Sequence, residues 1–336
     1  MEHIDKLKRI VVRFDSASIL MIGDVMLDRF IIGTVSRISP EAPVPVVDFT
    51  SETLKPGGAA NAINNIKTLG GDVIAAGVIG DDVNGRKLID LLEQAGINTE
   101  GFIVIHDRPT TVKTRIMTGQ QQIVRIDREK RHSIDYKHTH QILDFVNTKI
   151  DKIDAIIISD YDKGIITNKL LEGLMSLSKK YNKPVIVDPK VEHFMDYKGV
   201  TSVISNLRGA SAATRISAIN ETSIRNMGQW ILTQLECEYV LITRGKNGIS
   251  LFEKKGDVIH IPTVVREVYD VTGVRDTITS VVALNLAVGA EMVDAATIAN
   301  IAAGIVIEKI GTATVTKDEL MHQLDLYKNC EKKWKK

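Results

Sequence analysis

The chain has 336 residues, of which 44% are hydrophobic and 25% are charged, a balance typical of a globular protein with a large core. Its 43 lysine and arginine residues nearly balance 42 aspartate and glutamate residues, so net charge gives no reason to expect nucleic acid or an anionic membrane as a partner. No apolar run reaches the roughly 18 residues of a membrane span, and Cys237 and Cys330 are too few for a disulfide framework. These features predict a cytoplasmic protein.

The first predicted strand is the apolar run over residues 18–22, which ends at Gly23 and Asp24. The following stretch, residues 30–49, is rich in β-branched side chains. Its three prolines exclude a helix but are tolerated in edge strands. We therefore predict an exposed sheet segment over residues 30–49, outside the main core.

A pair of glycines, Gly57 and Gly58, precedes a predicted helix that runs to Leu69. Glycines at such a position let the backbone approach a ligand, and the amide of Asn61 on the first helical turn can hydrogen-bond to sugar hydroxyls. A plain turn with a capping asparagine explains the same pattern equally well. The residues alone leave both interpretations open.

A second β-rich region lies further along the chain. Residues 102–105 and 110–126 alternate between apolar and polar side chains. Together with residues 30–49 they predict a small sheet that covers the main one as a lid. Gln122 and Arg125 lie near the end of this region, where a solvated strand edge is the more ordinary explanation for a polar cluster.

From residue 154 onward, predicted strands and helices alternate. Such repeated units indicate a mostly parallel sheet with helices on both faces, in which ligands bind beyond the carboxyl ends of the strands. Several polar residues follow closely after the predicted strands of this region: Asp160, Lys163, Asp188, Lys190, Asn206 and Lys246. Their shared placement predicts a functional edge of the sheet.

A small turn and an acid, Gly273 to Asp276, stand directly before an apolar run with helical periodicity. A helix that starts here points free backbone amides at whatever lies in front of it, which favours an anionic ligand. Amides of the turn can then surround a transferring phosphoryl group while Asp276 accepts a proton from an attacking hydroxyl. An aspartate that only satisfies the first helical turn is the simpler alternative.

The last apolar helical pattern, residues 293–310, carries Asn300, Ala303 and Gly304. Small side chains there allow close packing against a flat group such as adenine, although tight packing between helices is the more frequent cause. The sequence shows no internal repeat and no low-complexity linker. We predict a single domain over residues 1–336, with lid segments of about 30–49 and 102–127 inserted within it.

These motifs together resemble the ribokinase-like (PfkB) sugar kinases, chiefly through residues 57–61 and 270–276 and through the strand order. Other runs are similar to the heptose-7-phosphate kinases of ADP-heptose synthesis, a subgroup of that family. These runs are residues 23–29, 36–45, 121–127, 159–164 and 311–315. The resemblance implies a ribokinase-like α/β fold with a mostly parallel central sheet, helices on both faces and a small β-sheet lid.

The resemblance also implies a reaction, the phosphorylation of D-glycero-D-manno-heptose 7-phosphate at its anomeric hydroxyl by ATP with Mg²⁺. Positions that match the sugar site of the family are Asp28, Gly57, Gly58 and Asn61. Asp276 matches the general base, at the end of the catalytic turn formed with Gly273, Val274 and Arg275. Positions assigned to the nucleotide side are Lys190, Asn206, Thr243, Gly245, Asn300 and, from its place on the adenine-packing helix, Ala303.

Charge and lid placement predict contacts to the substrate's own 7-phosphate from four side chains, Arg37, Gln122, Arg125 and Lys163. The family also implies a homodimer that buries the edge of the lid sheet. A monovalent cation, K⁺, near Asp270 and Thr272 is a feature of some relatives. Many homologues continue into a nucleotidyltransferase domain, for which this chain is expected to be too short.

Two motifs depart from the family's pattern. The family's turn is Gly-Ala-Gly-Asp, whereas here Val274 and Arg275 stand in its middle. If the replaced glycine has a positive φ, Arg275 strains the turn by about 1 kcal/mol or more; alternatively, its guanidinium can bind the γ-phosphate.

The second departure follows Asn206, where the family's Asn-x-x-Glu ends instead in Gly209. Loss of an outer carboxylate is expected to weaken Mg²⁺ binding. A catalytically impaired protein that has the kinase fold and binds sugar phosphate is therefore the alternative to an active kinase.

Overall fold

The computed structural model describes residues 2–119, 121–256, 258–263, 272–309 and 311–334, with side chains as far as residue 327. Within these ranges the strands, in chain order, are β1 (Ser18–Gly23), β2 (Val25–Ile38), β3 (Pro45–Gly58), β4 (Asp72–Gly80), β5 (Asn98–Ile105), β6 (Val112–Thr118), β7 (Gln121–Arg128), β8 (Ala155–Ser159), β9 (Val185–Asp188), β10 (Ser202–Asn206), β11 (Tyr239–Thr243), β12 (Ile249–Glu253) and β13 (Val258–Ile261). The helices are α1 (Glu2–Val12), α2 (Ala59–Thr68), α3 (Val83–Gln94), α4 (Tyr136–Lys149), α5 (Asn168–Tyr181), α6 (Leu207–Thr214), α7 (Glu221–Leu235), α8 (Val274–Ala287), α9 (Met292–Ile307) and α10 (Lys317–Trp334).

Nine of the described strands form a large sheet in the order β13-β12-β11-β10-β9-β8-β1-β4-β5. Neighbouring strands from β11 to β5 run parallel, and β12 and β13 add an antiparallel edge. The central strand β8 is an apolar run with every residue buried, as expected for a parallel strand covered on both faces. The predicted mostly parallel α/β sheet is confirmed.

Helices cover both faces of this sheet because successive strand residues point to opposite sides. On β1, Ile19 and Met21 belong to a core that includes residues of α1, α2, α8 and α9, whereas Leu20 and Ile22 belong to a second core with residues of α4, α5 and α7. The same alternation divides β8 between the two cores. The expected arrangement of helices on both faces is therefore confirmed.

The remaining described strands form the small sheet, in the order β3-β2-β6-β7. It grows directly out of the large sheet, because a single residue, Asp24, separates β1 from β2. Val25 pairs with Gly58 at the root of the small sheet, and Gly58 leads without a gap into α2. The root of the small sheet thus lies next to the carboxyl end of β1.

The sequence-based boundaries of the lid are wrong at one point. Residues 102–105 belong to β5, which pairs in parallel with β4 in the large sheet, for example Gly77 with Phe102. The alternating pattern of β5 reflects an edge strand, and the helix α3 between β4 and β5 makes the crossover that parallel pairing needs. The small sheet also extends beyond the predicted segments, since β2 begins at Val25 and β3 ends at Gly58.

Candidate active site

The carboxylate of Asp276 lies in the first turn of α8, which begins at Val274. Gly273 precedes the helix with φ = 80°, a left-handed conformation that glycine adopts at little cost. A Cβ added to Gly273 would stand 2.6 Å from Nδ2 of Asn61, so the turn needs glycine for space as well. α8 starts three residues before the predicted start at 277, which places Val274, Arg275 and Asp276 all on the helix.

Two side chains from other parts of the chain hold the Asp276 carboxylate. The Asn61 amide donates to Oδ2 at 2.9 Å, and the Tyr161 hydroxyl donates to Oδ1 at 2.6 Å. Asp276 is 3% exposed, and burial raises the pKa of its carboxyl to about 7 although both hydrogen bonds act to lower it. A carboxylate with such a pKa can accept a proton near neutral pH.

Arg275 occupies an ordinary helical position, so the expected strain at this residue is absent. In the described part of the turn, Gly273 is the residue with a positive φ, and Arg275 is not. The guanidinium donates from Nη1 to Oδ1 of Asp188 at 2.5 Å, and this ion pair raises the pKa of Arg275. Val274, the other unusual residue of the turn, packs against the apolar core. The departure from the family's turn therefore changes the charge in front of α8 without a positive φ at Arg275.

Asp276 opens into a cleft of about 310 Å³ between the two sheets. Among the described residues, the basic side chains that line it are Lys113, Arg115, Arg125, Lys190 and Arg275, and the acidic ones are Asp28 and Asp276. Three of the cations come from the small sheet and two from the region around Asp276. An excess of positive charge in a concave site favours anionic ligands.

At the small-sheet end of the cleft, Asp28 is 1% exposed and accepts a hydrogen bond from Nη1 of Arg115 at 2.6 Å. Burial raises the pKa of the Asp28 carboxyl, and the guanidinium opposes that shift. Gly57 makes room for this carboxylate, because a Cβ there would stand 2.5 Å from Oδ2 of Asp28. Gly58 has φ = 56° and lines the cleft at the start of α2. Asp28, Gly58 and Asp276 thus share one cleft, with Gly57 and Asn61 beside it.

Not all residues predicted to bind the substrate's phosphate lie in this cleft. Arg125 lines it, but Arg37 and Gln122 are exposed elsewhere on the small sheet. Lys163 is 7% exposed and forms an ion pair with Glu129 at 3.0 Å. Its side chain lines a separate small cavity with Asp24.

The residues predicted for the nucleotide follow the carboxyl edge of the large sheet. Lys190 lines the Asp276 cleft, whereas Asn206 and Thr243 are paired at the ends of β10 and β11. The side chain of Asn206 accepts the Gly209 amide at 2.7 Å and so caps α6. Nothing lies within 4 Å of a Cβ built on Gly245, which has φ = 57°.

A second groove, of about 490 Å³, begins beside Gly245 and is lined by Arg244, Lys246 and Pro262 among others. The amide of Asn300 donates to the Pro262 carbonyl at 2.8 Å, which ties α9 to this groove. Ala303 lies one turn further along α9 and is half-buried. Of the residues predicted for a monovalent cation, Thr272 lines the Asp276 cleft and Asp270 lies outside the described residues.

The sequence model of the pfkB family of carbohydrate kinases matches residues 16–319. The chain belongs to that family. Its members are sugar kinases, so the chain is placed among the phosphotransferases that act on carbohydrates. A curated relative, the bifunctional protein HldE of Geotalea uraniireducens (strain Rf4), is 43% identical over 305 residues, which is 91% of this chain and 62% of the relative. The chain spans about three fifths of the length of the curated relatives that it matches.

Solved structures show that the fold is that of the family. Phosphofructokinase-2 from Escherichia coli, in a complex with potassium, has a TM-score of 0.77 at 18% identity and covers 93% of this chain and 99% of its own. Arabidopsis thaliana ribokinase, in a complex with ribose and ATP, has a TM-score of 0.72 at 15% identity and covers 92% of this chain and 98% of its own. The predicted ribokinase-like fold is confirmed. None of the helices in the described ranges combines the length and apolar character of a membrane crossing.

Sequence reasoning did not single out three residues that line this pfkB-family cleft, Lys113, Arg115 and Tyr161, and it did not predict that Asp188 pairs with Arg275. The sequence does contain a pattern that indicates Lys113 and Arg115, since residues at i and i+2 of a strand share a face. Arg115 also stands directly opposite Arg125 in the β6–β7 ladder. Facing like charges destabilise a sheet, so such a pair indicates a site for an anion.

Proposed function

We propose that the chain transfers the γ-phosphoryl group of ATP to the anomeric hydroxyl of D-glycero-D-manno-heptose 7-phosphate, which gives the 1,7-bisphosphate and ADP. The observation that carries this proposal is the position of Asp276, a buried carboxylate with a pKa of about 7 in a cleft rich in cations. The resemblance of residues 36–45 to heptose-7-phosphate kinases supports the choice of sugar, and the pfkB family supports the class of reaction.

In the proposed reaction the anomeric oxygen forms a bond to the γ-phosphorus while its proton passes to Asp276. The bond between the γ-phosphorus and the bridging oxygen breaks, and ADP leaves with that electron pair. Each carboxylate oxygen of Asp276 already accepts one hydrogen bond, from Asn61 or Tyr161, and keeps a second lone pair for the sugar hydroxyl. Backbone amides at the start of α8 face the migrating phosphoryl group.

At the other end of the cleft, Lys113, Arg115 and Arg125 would bind the 7-phosphate, because guanidinium and ammonium groups pair strongly with phosphate. The Asp28 carboxylate would accept hydrogen bonds from the sugar hydroxyls, and the Asn61 amide would donate hydrogen bonds to them. Lys113 thereby takes the role that the sequence suggested for Lys163, because Lys113 lines this cleft whereas Lys163 lines a separate cavity.

ATP would lie with its phosphates near Lys190 and its base toward the groove beside Gly245 and Pro262. Among the described residues, no group of three His, Cys, Asp or Glu side chains is placed to hold a metal ion. A Mg²⁺ ion would be held mainly by the nucleotide phosphates and water, as this cation prefers. The ion would neutralise charge on the phosphates. K⁺ near Thr272 stays part of the proposal, tested by exchanging K⁺ for Na⁺ in the assay.

We also propose that two chains associate through the small sheet. Large apolar side chains on its strands are strongly exposed, among them Phe49 at 67%, Ile38 at 62% and Ile126 at 55%. Exposed apolar patches of this kind commonly mark an interface. The cytoplasm stays the expected compartment.

The test is a coupled assay of ADP release with heptose 7-phosphate, compared with fructose 6-phosphate and ribose as acceptors. Wild type is expected to prefer heptose 7-phosphate, and Asp276→Asn is expected to lower kcat by at least ~10²-fold because proton transfer is lost. Asp294→Asn is the matched control, since Asp294 is also buried on a neighbouring helix but pairs with Lys6 away from the cleft.

Full activity of Asp276→Asn would overturn the assignment of the base. Calorimetric binding of the sugar phosphate without any ADP release would instead favour the impaired-kinase alternative. That alternative has lost one of its two arguments, because the turn before α8 is not strained at Arg275.

A further inference from the structure

The ion pair between the half-buried Arg275 and the buried Asp188 lies beside the proposed base. Asp188 ends β9 and is 2% exposed. One of its oxygens accepts from Arg275, and the other, Oδ2, is buried without a hydrogen-bond partner among the described residues. A buried ion pair gains little stability over an apolar pair of similar size. A half-satisfied pair in the wall of a cleft therefore points to a functional role.

Resting on the proposed function, we propose that Arg275 is a catalytic residue that binds the transferring phosphoryl group. We further propose that Asp188 is the positioning residue that holds this guanidinium on the phosphate side of the cleft. Neither role follows from the family's turn, which has glycine at the position of Arg275.

The exposure of the two side chains supports this division of roles. The side chain of Asp188 is 3% exposed, whereas that of Arg275 is 25% exposed and lines the cleft with Asp276. Among the described residues, the Arg275 guanidinium donates one hydrogen bond, and its acceptor is Asp188. A guanidinium has five N–H donors in a planar fork, so the remaining donors can reach phosphoryl oxygens in the cleft.

A second cation lies on the same side of the cleft. The Lys190 ammonium group stands 5.0 Å from the centre of the Tyr161 ring, and the Tyr161 hydroxyl donates to Asp276. Burial, followed by the positive charge of Arg275, lowers the pKa of Lys190. Lys190 and Arg275 repel each other, and an anion with several oxygens that binds both of them relieves this repulsion.

Asp188 is needed because Arg275 and Asp276 are sequence neighbours on one helical turn. Asp188 holds the guanidinium in an ion pair, which leaves the Asp276 oxygens to Asn61 and Tyr161. Released from Asp188, the guanidinium would find Asp276 as the nearest carboxylate in the cleft. An Arg275–Asp276 pair would lower the pKa of the base and block its access to the sugar hydroxyl.

The first experiment compares Arg275→Met and Arg275→Lys with wild type in the heptose 7-phosphate assay. Arg275→Met is expected to lower kcat by about 10²-fold, and Arg275→Lys to recover part of that loss, since a donor to developing charge commonly contributes this much. Arg86→Met, which removes an arginine of an exposed pair with Asp81, is the control and is expected to match wild type. Equal kcat for wild type and Arg275→Met would overturn the proposal.

A binding experiment makes the result independent of the sugar. Titration calorimetry with ATP and with ADP, each with Mg²⁺, is expected to show that Arg275→Met loses at least about threefold affinity for ATP and keeps its affinity for ADP. Equal losses, or none, would overturn the proposal. If wild type phosphorylates no sugar yet Arg275→Met still loses ATP selectively, the proposed acceptor fails and the role of Arg275 stands.

Asp188→Asn tests the positioning role through a pH profile. Among the described residues, Asp188, Tyr161 and Arg275 act on the pKa of Asp276, and Lys190 and Asp28 line the same cleft. Removing the Asp188 charge, and freeing Arg275 to approach Asp276, both lower the pKa of the base. The acidic limb of kcat/KM is therefore expected to move to lower pH while kcat falls by about tenfold or more. An unmoved limb with wild-type thermal stability would show that Asp188 does not position Arg275.

Discussion

Asp276 obtains its chemistry from residues that lie far away in the sequence. Tyr161 is separated from it by 115 positions and Asn61 by 215, yet each donates to one of its oxygens. Burial raises the pKa of the carboxyl and the two donors lower it, with the result of about 7. The motif around Asp276 predicts the acid itself, but no local pattern shows which hydroxyl reaches it after folding.

Tyr161→Phe removes one of these donors and leaves the ring in place. Because the hydrogen bond stabilises the charged carboxylate, its loss raises the pKa of Asp276 above about 7. The acidic limb of kcat/KM is expected to move to higher pH. Tyr136→Phe serves as control, since Tyr136 is 66% exposed on α4. A limb that stays in place in Tyr161→Phe would contradict the assigned hydrogen bond.

Asp276→Asn is expected to stabilise the fold at high pH while it removes activity. In the folded protein the pKa of the Asp276 carboxyl is raised from 3.8 to about 7. The stability that this protonated carboxyl contributes to wild type is therefore fully present below about pH 4, and it is lost as the pH rises through 7. The free energy of unfolding of the variant should exceed that of wild type by a margin that grows by up to ~3 kcal/mol from pH 5 to pH 8. Urea unfolding at both pH values measures this margin, and a constant margin would refute it.

At the scale of single elements, the start of α8 decides the shape of the site. Apolar periodicity predicted this helix, but its first three residues lie in the turn motif, where they carry no apolar pattern. The same limit explains β5, whose alternating residues resemble those of the small sheet. Strand partners are set by the crossover through α3, and a single strand's composition does not contain that information.

Gly273→Ala tests the α8 turn. The positive φ costs an alanine about 1 kcal/mol, and its Cβ would also meet Nδ2 of Asn61 at 2.6 Å. We expect a modest loss of stability together with at least a tenfold loss of kcat, because Asn61 must move away from Asp276. Gly289→Ala is a matched control, since Gly289 has φ = 72° with nothing within 4 Å of its Cβ. If both variants lose activity equally, the contact with Asn61 has no role.

At the scale of the whole molecule, the sequence predicts the large sheet better than the small one. Apolar strands such as β8 end at polar residues, and this repeated pattern indicates parallel strands with a functional edge. The small sheet instead contains two long strands, β2 and β3, that run between buried and exposed positions, and their bounds depend on pairing between distant segments, as between Val25 and Gly58. Its cationic face depends on the β6–β7 register, which places Arg115 opposite Arg125.

Phe49→Glu tests the proposed association of two chains through the small sheet. Phe49 is 67% exposed, and a charge there would be costly to bury in an interface. Light scattering after size exclusion is expected to give a dimer for wild type and a monomer for this variant. Ile219→Glu, at an apolar residue 83% exposed away from the small sheet, should remain dimeric. A dimeric Phe49→Glu would place the interface elsewhere.

Asp24 joins the two sheets and also carries the loop that follows β8. Its carboxylate accepts the backbone amides of Tyr161, Lys163 and Ile165, so the segment that bears the Tyr161 hydroxyl is fastened to the root of the small sheet. The position of the Tyr161 hydroxyl over Asp276 therefore depends on how the two sheets meet at Asp24, so a change at this junction would reach the carboxylate without touching α8.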